Sequence, residues 1–274
     1  MGGLTTVRMK TVRGDQARGA YDAIAPVYDD FTADHDYELW IDNIWPAIAV
    51  HGLHGRRLLD VACGTGKSFI PLLEKGWEVT ACDVSAAMIE VARDKVGDEA
   101  RLTVADMREL PVFGEFDLVW CMGDAVNYLL SAEELAQALA GMGRNLASQG
   151  LLVFDLDTLA TYRSFFTEEV TVERGGKRMT WHGLGSPDQP PSTIFEARLE
   201  TKHLEARAGP APSPSIHRLR HFTEAEVLAA LEAGGLECLA AFGHEDAVIP
   251  EQPLDETRHR RAIYVARAAR GGGV

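Results

Sequence analysis

Three aspartates and a pair of glycines carry the chemistry of this chain. Asp60, Asp83 and Asp106 close three short apolar runs, Leu58–Val61, Glu78–Cys82 and Arg101–Ala105. The first run leads into Ala62-Cys63-Gly64-Thr65-Gly66, where Gly64 and Gly66 let the chain turn tightly and leave its backbone bare. A strand, a glycine turn and a helix N-terminus together make a site for a nucleoside-bearing ligand. A carboxylate at the position of Asp83 can accept both ribose hydroxyls. Asp106, one strand further on, falls near where an adenine amino group would lie. Pyrophosphate-binding turns need residues that are missing. Counting from Gly64, the third glycine of Gly-x-Gly-x-x-Gly is replaced by Phe69, and Lys67-Ser68 follows Gly-Thr-Gly without the longer loop of a Gly-x-x-x-x-Gly-Lys-Ser/Thr motif.

The elements that would position these residues alternate. Strands are predicted at 58–61, 78–82, 101–105, 116–121 and 150–155, with helices at 67–75, 86–95 and 131–146. Pro71 falls in the first turn of its helix. Short apolar strands separated by helices predict a parallel sheet with both faces covered. Ahead of them, Tyr21–Phe31 reads as a short helix broken near Pro26. Tyr37–Val50 reads as an amphipathic helix with Trp40, Ile41, Ile44, Trp45 and Ile48 on one face. After Thr158 the chain becomes β-rich, through Val170–Glu173, Arg178–His182, Ile194–Leu204 and Ile216–Phe222, with proline-rich turns at Gly185–Ser192 and Gly209–Ser215. Thr223 with Glu226 forms a capping-box signature for a helix to Gly234. Leu236–His244 and Arg261–Ala268 read as two final antiparallel strands. The division expected is a helical lid over 1–50, an α/β domain over 51–158 and 223–270, and an inserted antiparallel β subdomain over 159–222.

Composition bounds the partners. The chain has 274 residues and a formal net charge of −14, which argues against a nucleic-acid backbone as ligand. No run reaches the roughly 20 apolar residues of a membrane span, and Met1–Gln16 shows no secretory leader pattern. Cys63, Cys82, Cys121 and Cys238 lie in apolar surroundings without metal-ligand spacing, the usage expected of buried thiols in a reducing cytoplasm. Met1–Arg18 and the Gly271–Gly273 tail are expected to be mobile.

Four stretches taken together carry a resemblance: Asp60-Val61-Ala62-Cys63-Gly64-Thr65-Gly66, Cys82-Asp83-Val84-Ser85-Ala86-Ala87-Met88, Ala105-Asp106-Met107 and Phe116-Asp117-Leu118-Val119. They resemble the class I S-adenosylmethionine-dependent methyltransferases. The first motif and Cys121-Met122-Gly123-Asp124 are similar to glycine/sarcosine N-methyltransferases and to bacterial amino-sugar methyltransferases. The opening Tyr21-Asp-x-Ile-Ala-x-x-Tyr28-Asp is similar to the latter group. The resemblance implies a Rossmann-like, mostly parallel sheet with its last strand antiparallel and an antiparallel β insert after the fifth strand. It implies S-adenosyl-L-methionine as cofactor and S-adenosyl-L-homocysteine as product. By position, Ala62, Gly64 and Gly66 would lie against the methionine part and ribose, with Asp60 and Cys63 in the same turn. Asp83 would bind the ribose hydroxyls, Val84 and Met88 would flank the adenine, and Asp106 and the Met107 amide would hold its edge. Cys121 and Gly123 would line the sulfonium end, and Tyr21, Tyr28 and Trp40 would close over the cofactor. Ala62 stands where the family usually has glycine.

The acceptor is less constrained. Glycine N-methyltransferase places an arginine on its substrate carboxylate after the fifth strand, whereas Phe154-Asp155-Leu156-Asp157-Thr158 has none. Asp157 there favours a cation or a hydroxyl donor. Cys-Met-Gly-Asp-Ala-Val-Asn stands in place of the Asn-Pro-Pro-Tyr signature of base and amide methyltransferases. The candidates for the reaction itself are Asp124, Asn127, Tyr128 and Asp157 at the sheet edge, Tyr28 from the lid side, and His217 as a base. His217 and His221 share one strand face, and Arg218 and Arg220 point the other way, toward solvent. The function expected is methyl transfer to a small-molecule amine nitrogen or hydroxyl oxygen. C-methylation and non-catalytic cofactor binding are the alternatives. The insert has two uses open to it, pairing into a homo-oligomer or roofing the pocket.

Overall fold

The computed structural model describes residues 14–204, 213–245 and 249–269. Most of the Met1–Arg18 stretch, the Gly271–Gly273 tail and most of the Gly209–Ser215 turn lie outside the described residues. The first helix, α1 (Gly14–Phe31), runs unbroken through Pro26, contrary to the expected break. A proline inside a helix removes one hydrogen bond. Here Ala20, Ile24, Ala25 and Val27 bury a face on both sides of it, and that packing carries the helix through. The second helix, α2 (Tyr37–Ala49), is capped by Asp36, whose carboxylate accepts from the Leu39 N–H at 3.0 Å, and it buries Ile41, Ile44 and Ile48.

The alternating region follows as β1 (Arg57–Val61), α3 (Ile70–Glu74), β2 (Glu78–Asp83), α4 (Ala86–Val96), β3 (Arg101–Val104), β4 (Phe116–Cys121), α5 (Ala132–Gly143) and β5 (Leu146–Asp157). The expected helix over 67–75 starts only at Ile70, because Gly66–Phe69 is spent on hydrogen-bonded turns. A short helix not foreseen, α6 (Leu159–Ser164), leads to β6 (Glu169–Arg174), β7 (Lys177–Gly183), β8 (Ile194–His203) and β9 (Ser215–Arg220). The chain ends with α7 (Glu224–Ala233), β10 (Leu236–His244) and β11 (Arg261–Ala268). The capping box of α7 is present as predicted, with Thr223 Oγ accepting from the Glu226 N–H at 3.3 Å and Glu226 accepting from the Thr223 N–H at 3.0 Å.

Seven strands form one sheet in the order β10-β11-β5-β4-β1-β2-β3. β1 to β5 pair in parallel, and β11 runs antiparallel to both β5 and β10. The order places β1 centrally, so the turn after it opens between β2 and β4 at the carboxyl edge, where open α/β sheets bind ligands. One apolar core, with Leu135, Leu139, Val227 and Leu231, covers one face; another, with Ile41, Ile44, Ile48 and Trp120, covers the other.

The remaining four strands make a separate antiparallel sheet, β6-β7-β8-β9. Its inner face (Met179, Trp181, Phe195, Leu199, Leu219) packs on Ile24 and Val27 of α1, Met88 of α4 and Tyr162 of α6. The two chain connections to this sheet meet at Glu256: its carbonyl accepts from the Ala160 N–H at 3.0 Å and its Oε1 from the Glu224 N–H at 2.6 Å. No described helix is long and apolar enough to cross a membrane. The four cysteines are free thiols, Cys63, Cys82 and Cys121 buried and Cys238 half-buried.

Candidate active site

A cleft of about 900 Å³ opens above the carboxyl ends of β1, β2 and β4. Eleven of the residues singled out in the sequence line it. Ala62, Cys63, Gly64, Asp83, Val84, Asp106 and Met107 form the nucleoside end, and Tyr21, Tyr28, Gly123 and Tyr128 the other. Gly64 sits at φ +54, and an ideal Cβ there would meet no protein atom within 4 Å, so its backbone faces open cleft. Ala62, where glycine is usual in the resembling family, also has positive φ (60°), a conformation that costs a non-glycine residue on the order of 1 kcal/mol. Phe69 packs within 3.0 Å of where a Gly66 Cβ would stand, filling the space that a third glycine would leave open.

Asp83 is held by backbone alone. Its Oδ2 accepts from the Gly64 N–H and its Oδ1 from the Ser85 N–H, both at 2.8 Å. Burial nevertheless outweighs these hydrogen bonds and pushes its carboxyl up to about 6. Val84, Ala105, Met107 and Leu129 add apolar surface to the same cleft. Bare backbone, two acceptor carboxylates and apolar lining residues together fit an adenosine group.

Several expected contacts fall elsewhere. Asp60 is buried beneath the floor: Ser68, which lines the cleft, donates to its Oδ2 at 2.5 Å, and burial pushes the carboxyl up to about 7. Gly66 faces Phe69 rather than the cleft. Met88 lies in the core under the second sheet, and Cys121 in the core beneath the main sheet, because their positions alternate inward. Trp40 stands outside the cleft, edge-on to Tyr37 at 5.7 Å and under the Arg261 guanidinium at 5.5 Å. Asn127 is a buried brace, its Nδ2 donating to the Arg220 carbonyl and its Oδ1 accepting from the Asp157 N–H, both at 2.9 Å. Arg220 is not solvated as expected; it pairs with Glu226 at 2.7 Å and lies 4.6 Å over Phe222.

The far end of the cleft is aromatic. The Tyr21 ring lies 6.1 Å from Tyr28 and 5.2 Å from Tyr128. Burial raises the hydroxyl pKa of all three, so they remain protonated. The Tyr128 hydroxyl lies 2.8 Å from His217 Nδ1, and His217 Nε2 lies 2.9 Å from Ser215 Oγ. His217 is 2% exposed, and burial holds its imidazole down to about 4, so it is neutral. His221 lies beyond the end of β9, where its Nδ1 accepts from the Ser192 N–H at 3.1 Å.

Behind the tyrosines lies a charge cluster that the sequence only half revealed. Asp124, in left-handed backbone (φ 55°), Asp155 and Asp157 surround Arg261. Asp155 accepts from the Gly123 N–H at 2.6 Å and pairs closely with Arg261, whose Nη2 lies 3.5 Å from Asp157 and 3.9 Å from Asp124. Burial and the facing Asp157 push the Asp124 carboxyl well up despite Arg261. Arg261 was missed because it lies over a hundred residues from β5 and meets Asp157 only through the β5–β11 register. Tyr37, Lys67 and Arg108 also line the cleft and were not singled out. Lys67 Nζ donates to the Thr32 carbonyl at 2.6 Å and sits 5.3 Å over the Tyr37 ring.

This architecture is that of the class I methyltransferases, and residues 58–150 match the family described as "Methyltransferase domain". That match covers about a third of the chain. The Bacillus subtilis protein YqeM is 36% identical over 139 residues, 50% of this chain and 55% of that one. This chain thus matches only a little over half the length of that relative. The dTDP-3-amino-3,6-dideoxy-alpha-D-glucopyranose N,N-dimethyltransferase of Streptomyces fradiae is 28% identical over 204 residues, 73% of this chain and 78% of that one. Among solved structures, an S-adenosylmethionine-dependent methyltransferase from Clostridium acetobutylicum superposes with a TM-score of 0.74 at 22% identity, covering 91% of this chain and 99% of that one.

Proposed function

We propose that this protein transfers a methyl group from S-adenosylmethionine to a nitrogen of a small-molecule amine, with a hydroxyl oxygen as the alternative acceptor atom. The observation that carries the reading is one cleft with a nucleoside slot at one end and buried tyrosines at the other, with Asp124, Asp155 and Asp157 behind those tyrosines and outside the cleft lining. When bound, S-adenosylmethionine supplies a methyl group on a sulfonium, already activated for in-line displacement, so positioning is the main demand on the protein. Asp83 holds the ribose hydroxyls and Asp106 the adenine amino group, while Val84 and Met107 flank the ring. Lys67 stands beside the glycine turn as a cation for the methionine carboxylate.

At the other end, three carboxylates share one guanidinium among the described residues. The surplus negative charge favours an acceptor that arrives as an ammonium, and it is the ground for preferring nitrogen over oxygen. The Streptomyces fradiae relative, an amino-sugar N,N-dimethyltransferase by name, supports the same preference. An ammonium must lose a proton before it can attack. Asp124, with its raised proton affinity, is suited to take it. His217, held at low proton affinity, is a poor base; its Nδ1 instead orients the Tyr128 hydroxyl, and Tyr21 and Tyr28 exclude water.

The test is to incubate the protein with S-adenosylmethionine and panels of amines and alcohols and to measure S-adenosylhomocysteine. Turnover with primary or secondary amines is expected. Tight cofactor binding without turnover on either panel would overturn the enzymatic reading.

A further inference from the structure

A chain of three hydrogen-bonding groups runs from the second sheet to the cleft. Ser215 Oγ lies 2.9 Å from His217 Nε2, and His217 Nδ1 lies 2.8 Å from the Tyr128 hydroxyl. Ser215 and His217 are buried on the same face of β9, and Tyr128 lines the cleft. Burial keeps His217 neutral and Tyr128 protonated, so each of the three groups has one proton to place.

Two directions make both hydrogen bonds. In one, Tyr128 donates to His217 Nδ1 and Nε2 donates to Ser215. In the other, Ser215 donates to Nε2 and Nδ1 donates to Tyr128. The two ends of the chain differ in what surrounds them. Among the described residues the Ser215 hydroxyl has no hydrogen-bond partner besides His217, so the first direction leaves its proton unmet in the core. The second leaves the unspent proton on Tyr128, where the cleft admits water or ligand. A buried unmet donor costs about tenfold or more in population, which selects the second direction. Tyr21 lies 5.2 Å from Tyr128, ring to ring, and lines the same cleft. If Tyr128 donates to it, the Tyr21 proton is released in turn, so the pair still shows the cleft a donor.

We infer that the chain from Ser215 through His217 makes Tyr128 a hydrogen-bond donor into the cleft, and that Tyr128 is thereby a specificity-determining residue: it holds an uncharged oxygen of the acceptor molecule, not the N–H of its amine. The second half rests on the methyl-transfer reading above. Charge supports the division of labour. Asp124, Asp155 and Asp157 share one guanidinium behind the tyrosines, and their surplus draws the ammonium. The same surplus disfavours a carboxylate or phosphate oxygen nearby. A hydroxyl or ether oxygen carries no such penalty, and it accepts the proton that Tyr128 offers.

The direction is read from the ring-nitrogen chemical shifts of the full-length protein, isotopically labelled at histidine, with the His217 resonances identified by their loss in His217→Phe. A proton on Nδ1 is expected. A proton on Nε2 overturns the direction, and the role of Tyr128 with it, whatever the protein methylates. A second measurement compares kcat/KM for matched pairs of amines, with and without a hydroxyl or ether oxygen on the carbon next to the one that bears nitrogen. The oxygenated member is expected to lead by about tenfold, the worth of one hydrogen bond in a buried site, and Tyr128→Phe to narrow that lead to within about twofold. Equal turnover of both members by wild type, or a lead that persists in Tyr128→Phe, overturns the oxygen contact and leaves the amine reading standing. Turnover of no amine at all overturns the amine reading, and the oxygen contact with it, while a proton on Nδ1 still upholds the direction of the chain.

Discussion

The two ends of the cleft are built by different means. At the nucleoside end the two carboxylates are held at the turns that end their strands: Asp83 by Ser85 two residues on and by Gly64 of the neighbouring turn, Asp106 by Arg108 two residues on. At the transfer end the groups come from α1, β5, β9, β11 and the loop after β4, and they are joined by side chains across long separations. The first end needs only the turns after β1, β2 and β3 and the pairing of those strands. The second exists only when the main sheet, the second sheet and α1 are all in place. Cofactor recognition should therefore survive damage to the transfer end, and the converse should not hold.

The largest break in that comparison is expected from Asp124→Asn, which keeps a residue tolerant of left-handed backbone. Loss of the proton acceptor should lower kcat by about 10² to 10³-fold while changing S-adenosylhomocysteine affinity less than about twofold, read by steady-state kinetics and titration calorimetry. Equal loss of both would make Asp124 a structural residue. Next, Asp83→Ala should weaken S-adenosylhomocysteine by on the order of a hundredfold, as ribose hydroxyls lose a charged acceptor. An unchanged affinity would remove Asp83 from the ribose.

A smaller effect joins Tyr128 and His217. Tyr128→Phe and His217→Phe should each cost about tenfold in kcat, and the double variant little more, because both remove one hydrogen bond. Additive losses would assign His217 a separate role. The smallest effect is in pH. Only ionised Asp83 accepts two hydroxyls, and its carboxyl stands at about 6, so protonation weakens binding as pH falls through that value. Between pH 7.5 and 5.5 affinity for S-adenosylhomocysteine should fall by about fourfold, the loss expected for a group ionised to about a quarter at the lower pH. Asp83→Asn should abolish the dependence, whereas Asp106, held low by Arg108, should contribute none of it.

The same division governs what the sequence revealed. The glycine turn, Asp83 and Asp106 were legible because strand ends and turn residues are local signals. The capping box at Thr223 was legible for the same reason. The continuity of α1 through Pro26 was not, because tertiary packing of Ile24 and Val27 decides it. Met88 and Cys121 were assigned to the cleft from motif position alone, and strand and helix periodicity turned them inward. Arg261 had no local signal at all, since only the β5–β11 register sets it opposite Asp157. Arg108 did have one: an arginine two residues after an aspartate, at a predicted turn.

The junction at Glu256 has a consequence of its own. Both ends of the segment carrying the second sheet are tied to one residue, Ala160 to its carbonyl and Glu224 to its side chain. A segment whose ends sit side by side can be lengthened, shortened or exchanged at a closure cost that grows only with the logarithm of its length. The strands of the main sheet need not shift to accommodate it. His217 travels with that segment, whereas Asp83, Asp106 and Arg108 do not. The fold is thus cut so that one wall of the chamber is a replaceable cassette, while the nucleoside slot belongs to the frame.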